Sequence, residues 1–295
     1  MFRASIIATA IFLTFSLMTP AHAESDWAKV DQALGKQGAA QPGGVHRFGF
    51  PRSDLKVTLD GIAVKPALAL GSWLAFKDVG KEAMVMGDLV LTSDEVNPVM
   101  SRLIKGGIEV TGLHNHLLRA EPATMYMHVE GHGDPVALAE TLHAALALSK
   151  TPLGPSPSSA TTEALDLDTK ILDEVIGRKG KVSGGVYQFS VPRAEAIKDS
   201  GMDVTTSMGA AIAINFQPTG GGKAAIAGDF VLTAAEVNPV LRALRENGIE
   251  ITALHNHMLA DAPRLFFMHS WANNDAEMLA RGLRAALDKM NLQRS

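Results

Sequence analysis

The chain has 295 residues, of which 46% are hydrophobic, enough for two domains with a core each. Its formal charge of −4 gives no electrostatic footprint for nucleic acid or for an anionic membrane surface. The sequence contains no cysteine, which excludes disulfides, thiolate metal sites, cysteine nucleophiles and the lipid-anchor residue of a bacterial lipoprotein. Histidine, carboxylate and backbone groups must therefore carry any site chemistry.

Residues 1–23 have the pattern of a cleavable secretory signal. Arg3 gives a positive start, residues 6–17 are an apolar run, and Ala21, His22 and Ala23 form a small-x-small cleavage site. The apolar run is short for a membrane span, which needs about 20 residues. We therefore expect cleavage after Ala23 and a mature protein that is periplasmic or secreted, without stable membrane insertion.

The rest of the chain is dominated by an internal duplication. Residues 87–128 and 228–269 align without a gap at an offset of 141 and are identical at 23 of 42 positions. The similarity extends in both directions, to units of ordinary domain size. The predicted organisation is therefore a first repeat at residues 24–150, a Pro/Ser/Thr-rich linker at 151–164 and a second repeat at 165–295.

The first repeat predicts an ordered series of elements, which the second repeat follows. These are a helix over residues 26–36, strands over 45–50, 73–76 and 83–91, a helix ending at Lys105, strands over 108–116 and 124–130, and a helix over 136–148. The order, roughly ββαββα, predicts an α+β fold in which a mostly antiparallel sheet carries helices on one face. Two sheets with similar edges are further expected to pair within the chain.

Three histidines in each repeat are the main candidates for site chemistry. His114 and His116 lie on the same face of their predicted strand, and the returning strand brings His128 beside them. The second repeat carries the same positions as His255, His257 and His269. Three convergent neutral imidazoles are a common set of ligands for Zn, Cu, Fe or Mn. The spacing predicts one three-histidine site for a divalent transition metal in each repeat; the alternative is a hydrogen-bonded polar cluster.

Two glutamates and two arginines are secondary candidates. Glu95 and Glu236 are candidates for a fourth ligand or a general base. Each stands three residues after a threonine, however, so a capping box at a helix start is the favoured interpretation. Arg52 and Arg193 each follow a proline, and a surface salt bridge explains them more simply than an anion site.

The repeated motif also indicates a family. Both copies read GD-x-VLT-x-x-EVNPV, followed by GIE-x-T-x-LHNH and a later Met-His. In this the chain resembles the LppY/LpqO family of exported bacterial proteins over nearly the whole mature sequence. The resemblance implies export and a two-copy architecture. Because the family has no assigned reaction, it implies no catalytic residue.

Three functions remain open from the sequence. The first is a metal-dependent hydrolase acting on a small-molecule or cell-envelope substrate, with metal-bound water as nucleophile. The second is a non-catalytic periplasmic protein that binds a metal or a small ligand. The third is a metal-free structural protein of the envelope. The histidines narrowly favour a metal-binding protein with hydrolytic activity.

Overall fold

The computed structural model describes residues 25–154 and 165–294. The predicted signal sequence and residues 155–164 of the predicted linker lie outside these ranges. In the part of the chain that the structure describes, no helix is long and apolar enough to cross a membrane.

The first repeat contains four helices and eight strands within its described residues. The helices are α1 (Trp27–Leu34), α2 (Pro66–Ala69), α3 (Ser93–Lys105) and α4 (Pro135–Leu146). The strands are β1 (Ala39–Gln41), β2 (Val45–Pro51), β3 (Thr58–Leu59), β4 (Ile62–Ala63), β5 (Gly71–Val79), β6 (Glu82–Thr92), β7 (Glu109–His114) and β8 (Thr124–Gly133).

The second repeat follows nearly the same order. Its helices are α5 (Thr169–Ile176), α6 (Ala234–Glu246) and α7 (Ala276–Leu287), with a short 3₁₀ turn at Thr206–Met208. Its strands are β9 (Lys181–Ser183), β10 (Val186–Pro192), β11 (Ile197–Asp199), β12 (Met202–Val204), β13 (Ala211–Gly220), β14 (Lys223–Thr233), β15 (Glu250–His255), β16 (Asp261–Ala262) and β17 (Leu265–Asp275).

Each repeat builds one six-stranded antiparallel sheet with the same strand order. The first sheet runs β1-β2-β5-β6-β8-β7, and the second runs β9-β10-β13-β14-β17-β15. The longest antiparallel pairs, β6 with β8 and β14 with β17, join strands that are separated in the chain by a helix and an edge strand. The predicted α+β class with antiparallel sheets is confirmed.

The two sheets meet face to face, with helices on the outside. Strand β6 is buried on both sides: Val85 and Leu89 pack in the core beneath the helices of the first repeat. Met84 and Met86, of opposite parity, belong to the same core cluster as the second repeat's side chains. The order of layers is therefore helix, sheet, sheet, helix. The two sheets thus pair within the chain by their faces, and each described six-stranded sheet contains strands of one repeat only.

The helix that follows the central strand begins at a buried ion pair in both repeats. Helix α3 runs unbroken from Ser93, and Thr92 with Glu95 forms the predicted capping box. The Glu95 carboxylate also accepts from Arg52, whose Nη1 lies 2.8 Å away. Arg52 is fully buried rather than at the surface as the sequence suggested. Arg52, which follows β2, thus bonds to Glu95 in the first turn of α3. It also donates to the backbone carbonyl of Val90 on β6 at 2.6 Å.

Candidate functional site

A row of aligned side chains crosses the inner face of each sheet. In the first sheet, Asp88 on β6 is paired with His128 on β8, and His128 in turn with Gly112 on β7. In the second sheet, Asp229 is paired with His269 by the same register. Neighbouring strands bring paired residues to the same face. Each row therefore presents a carboxyl group and an imidazole towards the opposite repeat.

The remaining histidines stand at the end of the edge strands that follow α3 and α6. His114 closes β7, and His116 lies two residues beyond it in the connecting loop. A bulge between Val110 and Gly112 shifts the register of β7 against β8. The buried Thr111 hydroxyl, next to this bulge, donates to the backbone carbonyl of His257 in the other repeat. The loops that carry the histidines are thus tied together across the two repeats.

All six imidazoles gather in one cluster between the sheets, which we call the six-histidine cluster. At its centre the rings of His114 and His255 stack with centroids 3.4 Å apart. On either side lies a stack of three rings that mixes the two repeats. One stack is Tyr126, His116 and His269, and the other is Phe267, His257 and His128. The cluster has approximate two-fold symmetry, with the central pair on the axis.

The ligand atoms of the six-histidine cluster form two symmetry-related sets of four. In each set, all four ligand atoms lie within 4.8 Å of one another. The first set is His114, His128, His255 and His257. The second set is His114, His116, His255 and His269. The structure therefore brings the predicted ligands together, but not as predicted. Among the described residues, no such set consists of the three histidines of one repeat.

Burial keeps the cluster neutral. Burial is the largest of the effects that lower the pKa of four of the rings well below its ordinary value, and the neighbouring imidazoles lower it further. These rings are His116, His128, His257 and His269. Burial also lowers the pKa of His255 to about 3. Neutral imidazole is the form that binds a metal through a nitrogen lone pair. The rings are thus in the protonation state that coordination requires.

The two central histidines have a defined tautomer. The Nδ1 atoms of His114 and His255 lie 3.3 and 3.2 Å from the backbone carbonyls of Asn115 and Asn256. A carbonyl oxygen only accepts, so each Nδ1 carries the proton and each Nε2 carries the lone pair. This is the usual arrangement of a metal-ligating histidine whose other nitrogen is held by the backbone.

Asp88 and Asp229 belong to the site although the sequence analysis did not select them. Asp88 forms a possible ligand set with His116 and His128, and Asp229 with His257 and His269. Burial raises the pKa of Asp88 to about 8 and that of Asp229 well above its usual range. One signal was available: apart from the first residue of the strand, Glu82 in β6 and Lys223 in β14, each is the single charged residue of an otherwise largely apolar central strand, and the duplication repeats it. Such a residue is rarely left in a core without a partner.

Several polar atoms of the cluster have no partner. Buried atoms without a hydrogen bond among the described residues include Nε2 of His116, His255, His257 and His269 and Oδ1 of Asp88 and Asp229. Leaving such a group unsatisfied costs about 1–3 kcal/mol each. A cation that accepts these lone pairs would relieve this cost, so the donor set fits a bound metal ion.

Glu95 and Glu236 are engaged elsewhere. The Glu95 carboxylate accepts from Arg52 and from the backbone N–H groups of Thr92 and Lys150. Glu236 makes the same contacts with Arg193 and with the backbone of Thr233 and Asn291. Neither glutamate is in a ligand set with the histidines. The structure therefore gives both residues a role at the start of a helix.

A cleft of about 1610 Å³ opens between the two sheets and reaches the six-histidine cluster. His116, His257 and His269 line it together with Asp88 and Asp229. A second, much smaller cavity of about 10 Å³ lies beside His128 and His257 and is lined by groups that include Trp73 and Met208. A small molecule can therefore approach the cluster through the cleft.

The solved structures similar to this chain include a bacterial microcompartment shell protein. A trimeric shell protein, PduB, is 11% identical, with a TM-score of 0.22, over 86% of this chain and 89% of its own. EtuB from Clostridium kluyveri is 9% identical, with a TM-score of 0.20, over 86% of this chain and 90% of its own. At these scores the likeness carries no argument about fold or function. No curated protein matches the chain.

One family matches most of the chain, and it does so twice. The two matched segments, residues 28–148 and 170–289, coincide with the two repeats and contain all six clustered histidines. The family is described only as a domain of unknown function, so the match carries no reaction. The chain therefore belongs to the family described as Domain of Unknown Function (DUF1259), of which it holds two tandem copies.

Proposed function

We propose that this protein binds a divalent transition-metal ion, Zn, Cu, Fe or Mn, in the six-histidine cluster between its two repeats. The observation that carries the proposal is the convergence of imidazole nitrogens from both repeats within 4.8 Å of one another, in a buried site. Nitrogen ligands with nearby carboxylates suit these metals, whereas Mg and Ca prefer all-oxygen sites. Each ligand set includes at least two imidazole nitrogens without a hydrogen-bond partner: Nε2 of His255 and His257 in the first set, and of His116, His255 and His269 in the second.

Because the two ligand sets share the central pair of histidines, we expect one ion per chain, bound by four histidines, rather than one ion per repeat. Both ligand sets require His114 and His255. Each of these residues offers one lone pair, on Nε2, because its Nδ1 donates to a carbonyl. One lone pair binds one ion, so the two sets cannot both be filled at once. The ion would then be held by ligands from both repeats.

Metal analysis of single-site variants tests this stoichiometry. The protein is purified without a histidine tag, loaded with Zn, dialysed and measured by mass spectrometry of the metal. We expect about one ion per chain, lost in both His114→Ala and His255→Ala. His132→Ala is the matched control, because His132 is exposed and pairs with Glu82 outside the cluster.

Two results would contradict the proposal. If the protein, loaded in turn with Zn, Cu, Fe and Mn, retains none of them, the cluster is a metal-free polar core, as one of the sequence interpretations has it. If it retains two ions and each alanine variant loses only one, each repeat has an independent site. Thermal unfolding of the metal-free variants shows whether any loss reflects unfolding rather than lost ligands.

We further propose that the bound ion serves hydrolysis in the cleft. A divalent ion can lower the pKa of a bound water to about 7, and at a four-histidine site this would require a fifth coordination position on the ion. The observation in favour is that His116 and His269 line the open cleft, beside the carboxyl groups of Asp88 and Asp229. These carboxyl groups are placed to exchange a proton with a group bound at the cluster.

Hydrolysis is tested with p-nitrophenyl acetate and p-nitrophenyl phosphate on the Zn-loaded protein. We expect turnover that falls at least tenfold in Asp229→Asn, with His132→Ala unchanged. Metal binding without turnover of either compound, or turnover unaffected in Asp229→Asn, would contradict the hydrolytic proposal. The first of these results would favour the non-catalytic carrier or binding protein instead.

We also propose that the protein is exported from the cytoplasm. The signal pattern at residues 1–23 and the resemblance to the LppY/LpqO family support a periplasmic or secreted protein. The partner would be a small-molecule or envelope substrate.

A further inference from the structure

The wall of the cleft contains an arginine whose side chain is not neutralised by a hydrogen-bonded acid. Arg47 lies on β2, on the same sheet face as Val45, and lines the cleft. Its Nε is buried and has no hydrogen-bond partner among the described residues. Burial lowers the pKa of Arg47, which the charge of Asp88 partly offsets. A guanidinium offers five N–H donors and remains charged, so leaving these unused in a partly buried place is costly.

Trp73 holds this guanidinium in position. The carbon at the centre of the Arg47 guanidinium lies 4.8 Å from the centroid of the Trp73 ring, in cation–π geometry. Stacking on the ring face leaves the N–H groups at the edge of the guanidinium free to donate. Trp73 is itself fixed against Gly209, where an added Cβ would come within 3.0 Å of the ring. Arg47 is therefore oriented by an aromatic platform.

The position of Arg47 connects the cleft to the six-histidine cluster. Trp73 is paired with Asp88 across the sheet, and Asp88 shares a possible ligand set with His116 and His128. Arg47 is paired with Ala75, one step further along β5. A molecule held by Arg47 over this face would therefore extend towards the side of the cluster where Asp88 and His116 lie.

The second repeat lacks this feature. The residue equivalent to Arg47 is Gln188, whose side-chain amide donates to the backbone carbonyl of Ala67 at 2.8 Å. The residue equivalent to Trp73 in the sheet register is Ala213, which is paired with Asp229 as Trp73 is with Asp88. The two-fold symmetry of the metal ligands is thus broken on this part of the cleft wall, where the first repeat has a guanidinium and the second an amide that is already bonded. Three lysines, Lys65, Lys179 and Lys181, also line the cleft. Such an asymmetry suits a single bound molecule with one charged end.

We propose that Arg47 binds the oxyanion group, a carboxylate or a phosphate, of a small organic molecule in the cleft and directs the rest of it to the six-histidine cluster. The pairing of a planar guanidinium with a carboxylate or phosphate through two parallel hydrogen bonds is its preferred mode of recognition. This inference rests on the proposed function of the cluster and names the substrate class for it. Arg47 would be a binding residue for the anionic end of the substrate.

The experiment uses isothermal calorimetry of benzoate and inorganic phosphate binding to the Zn-loaded full chain. We expect at least one of the two probes to bind, and Arg47→Gln to weaken that binding at least tenfold. Arg47→Lys should recover part of the affinity, since it restores the charge without the two parallel hydrogen bonds. Arg47→Gln places in the first repeat the residue that Gln188 already provides in the second.

Controls separate the anion site from the metal site. Arg119→Gln removes an arginine that is half exposed and already paired with Asp60 and Glu250, so it should leave anion binding unchanged. Metal content should be the same in Arg47→Gln as in the unmodified protein, and thermal unfolding checks its fold. The metal-free His114→Ala variant should retain weakened, Arg47-dependent binding of the probe.

Three outcomes overturn the inference. Neither probe binds the unmodified protein, or Arg47→Gln binds the probe as well as the unmodified protein does. In the third, binding disappears in His114→Ala and is unchanged in Arg47→Gln. The last result means that the metal by itself binds the anion. Conversely, Arg47-dependent anion binding in a chain that retains no metal would sustain the anion site while the proposed metal function fails.

Discussion

Replacement of Glu95 by glutamine should destabilise the protein strongly, because the carboxylate compensates a fully buried charge. Its two oxygens accept four hydrogen bonds: two from Arg52, at 2.8 and 3.1 Å, one from the backbone of Thr92 at 2.9 Å, and one from Lys150 at 2.7 Å. Glutamine keeps one accepting oxygen and loses the charge. The side chain of Arg52 has no exposed surface, so water cannot replace the lost partner, and only Asp54, which accepts from Nε and Nη2 of Arg52, still compensates its charge.

The expected loss follows from these contacts. Two hydrogen bonds to a charged group contribute about 1.5–3 kcal/mol each, and breaking a buried ion pair costs about 3–5 kcal/mol. For a chain of this size that corresponds to a fall in Tm of roughly 6–20 °C. The assay is thermal and urea unfolding of the metal-free protein, followed by circular dichroism. Glu236→Gln should behave in the same way, because it breaks the equivalent pair with Arg193.

The stabilisation that Glu95 contributes should be lost at low pH. Burial by itself raises the pKa of Glu95, but the hydrogen bonds from Arg52 and the backbone outweigh burial, so the pKa lies below its ordinary value. A lowered pKa in the folded state means that the stabilisation is fully present above about pH 4.3, the unfolded value, and is lost as pH falls through the folded value. Glu95→Gln should therefore lose less stability than the unmodified protein on acidification.

This prediction also separates two roles for Glu95. The control is Glu109→Gln, an exposed glutamate of β7, which should change stability by no more than about 0.5 kcal/mol. If Glu95→Gln melts like the unmodified protein but loses hydrolytic turnover, the buried-pair reasoning is refuted and the general-base interpretation is supported. A large loss of stability, without loss of turnover at temperatures where the variant is folded, supports the structural role.

The remaining predictions concern metal removal, export and the contact between the repeats. Stripping the metal with EDTA should lower Tm, since a ligand at 100 times its Kd stabilises the folded state by about 2.7 kcal/mol; an unchanged Tm in calorimetry would count against a buried site. Mass spectrometry of the protein exported from its host should show a chain beginning at Glu24, and a retained Ala23 would contradict the predicted cleavage site. Arg119→Ala should destabilise the protein slightly at low salt and less at 1 M salt, because this half-exposed arginine bridges Asp60 and Glu250 of opposite repeats. Equal destabilisation at both salt concentrations would refute that electrostatic origin.

Much of the local structure was readable from the sequence because it depends on near neighbours. The duplication indicated two equivalent units, and the apolar strand over residues 83–91 followed from its composition. Thr92 with Glu95 marked the start of α3, since a capping box involves only residues within one helical turn. The approach of His128 to His114 was also readable, because an antiparallel hairpin returns one to the neighbourhood of the other.

Only the tertiary structure decided how the two halves combine. Strand periodicity shows which side chains share a face, but it does not show which other surface covers that face. Because the two inner faces cover each other, the histidines mix across the repeats, with His114 against His255. The same packing of the two sheets buries Asp88 beside the imidazoles. It also leaves a cleft that Arg47 lines in one repeat and the self-bonded Gln188 in the other, a difference that depends on contacts far apart in the chain.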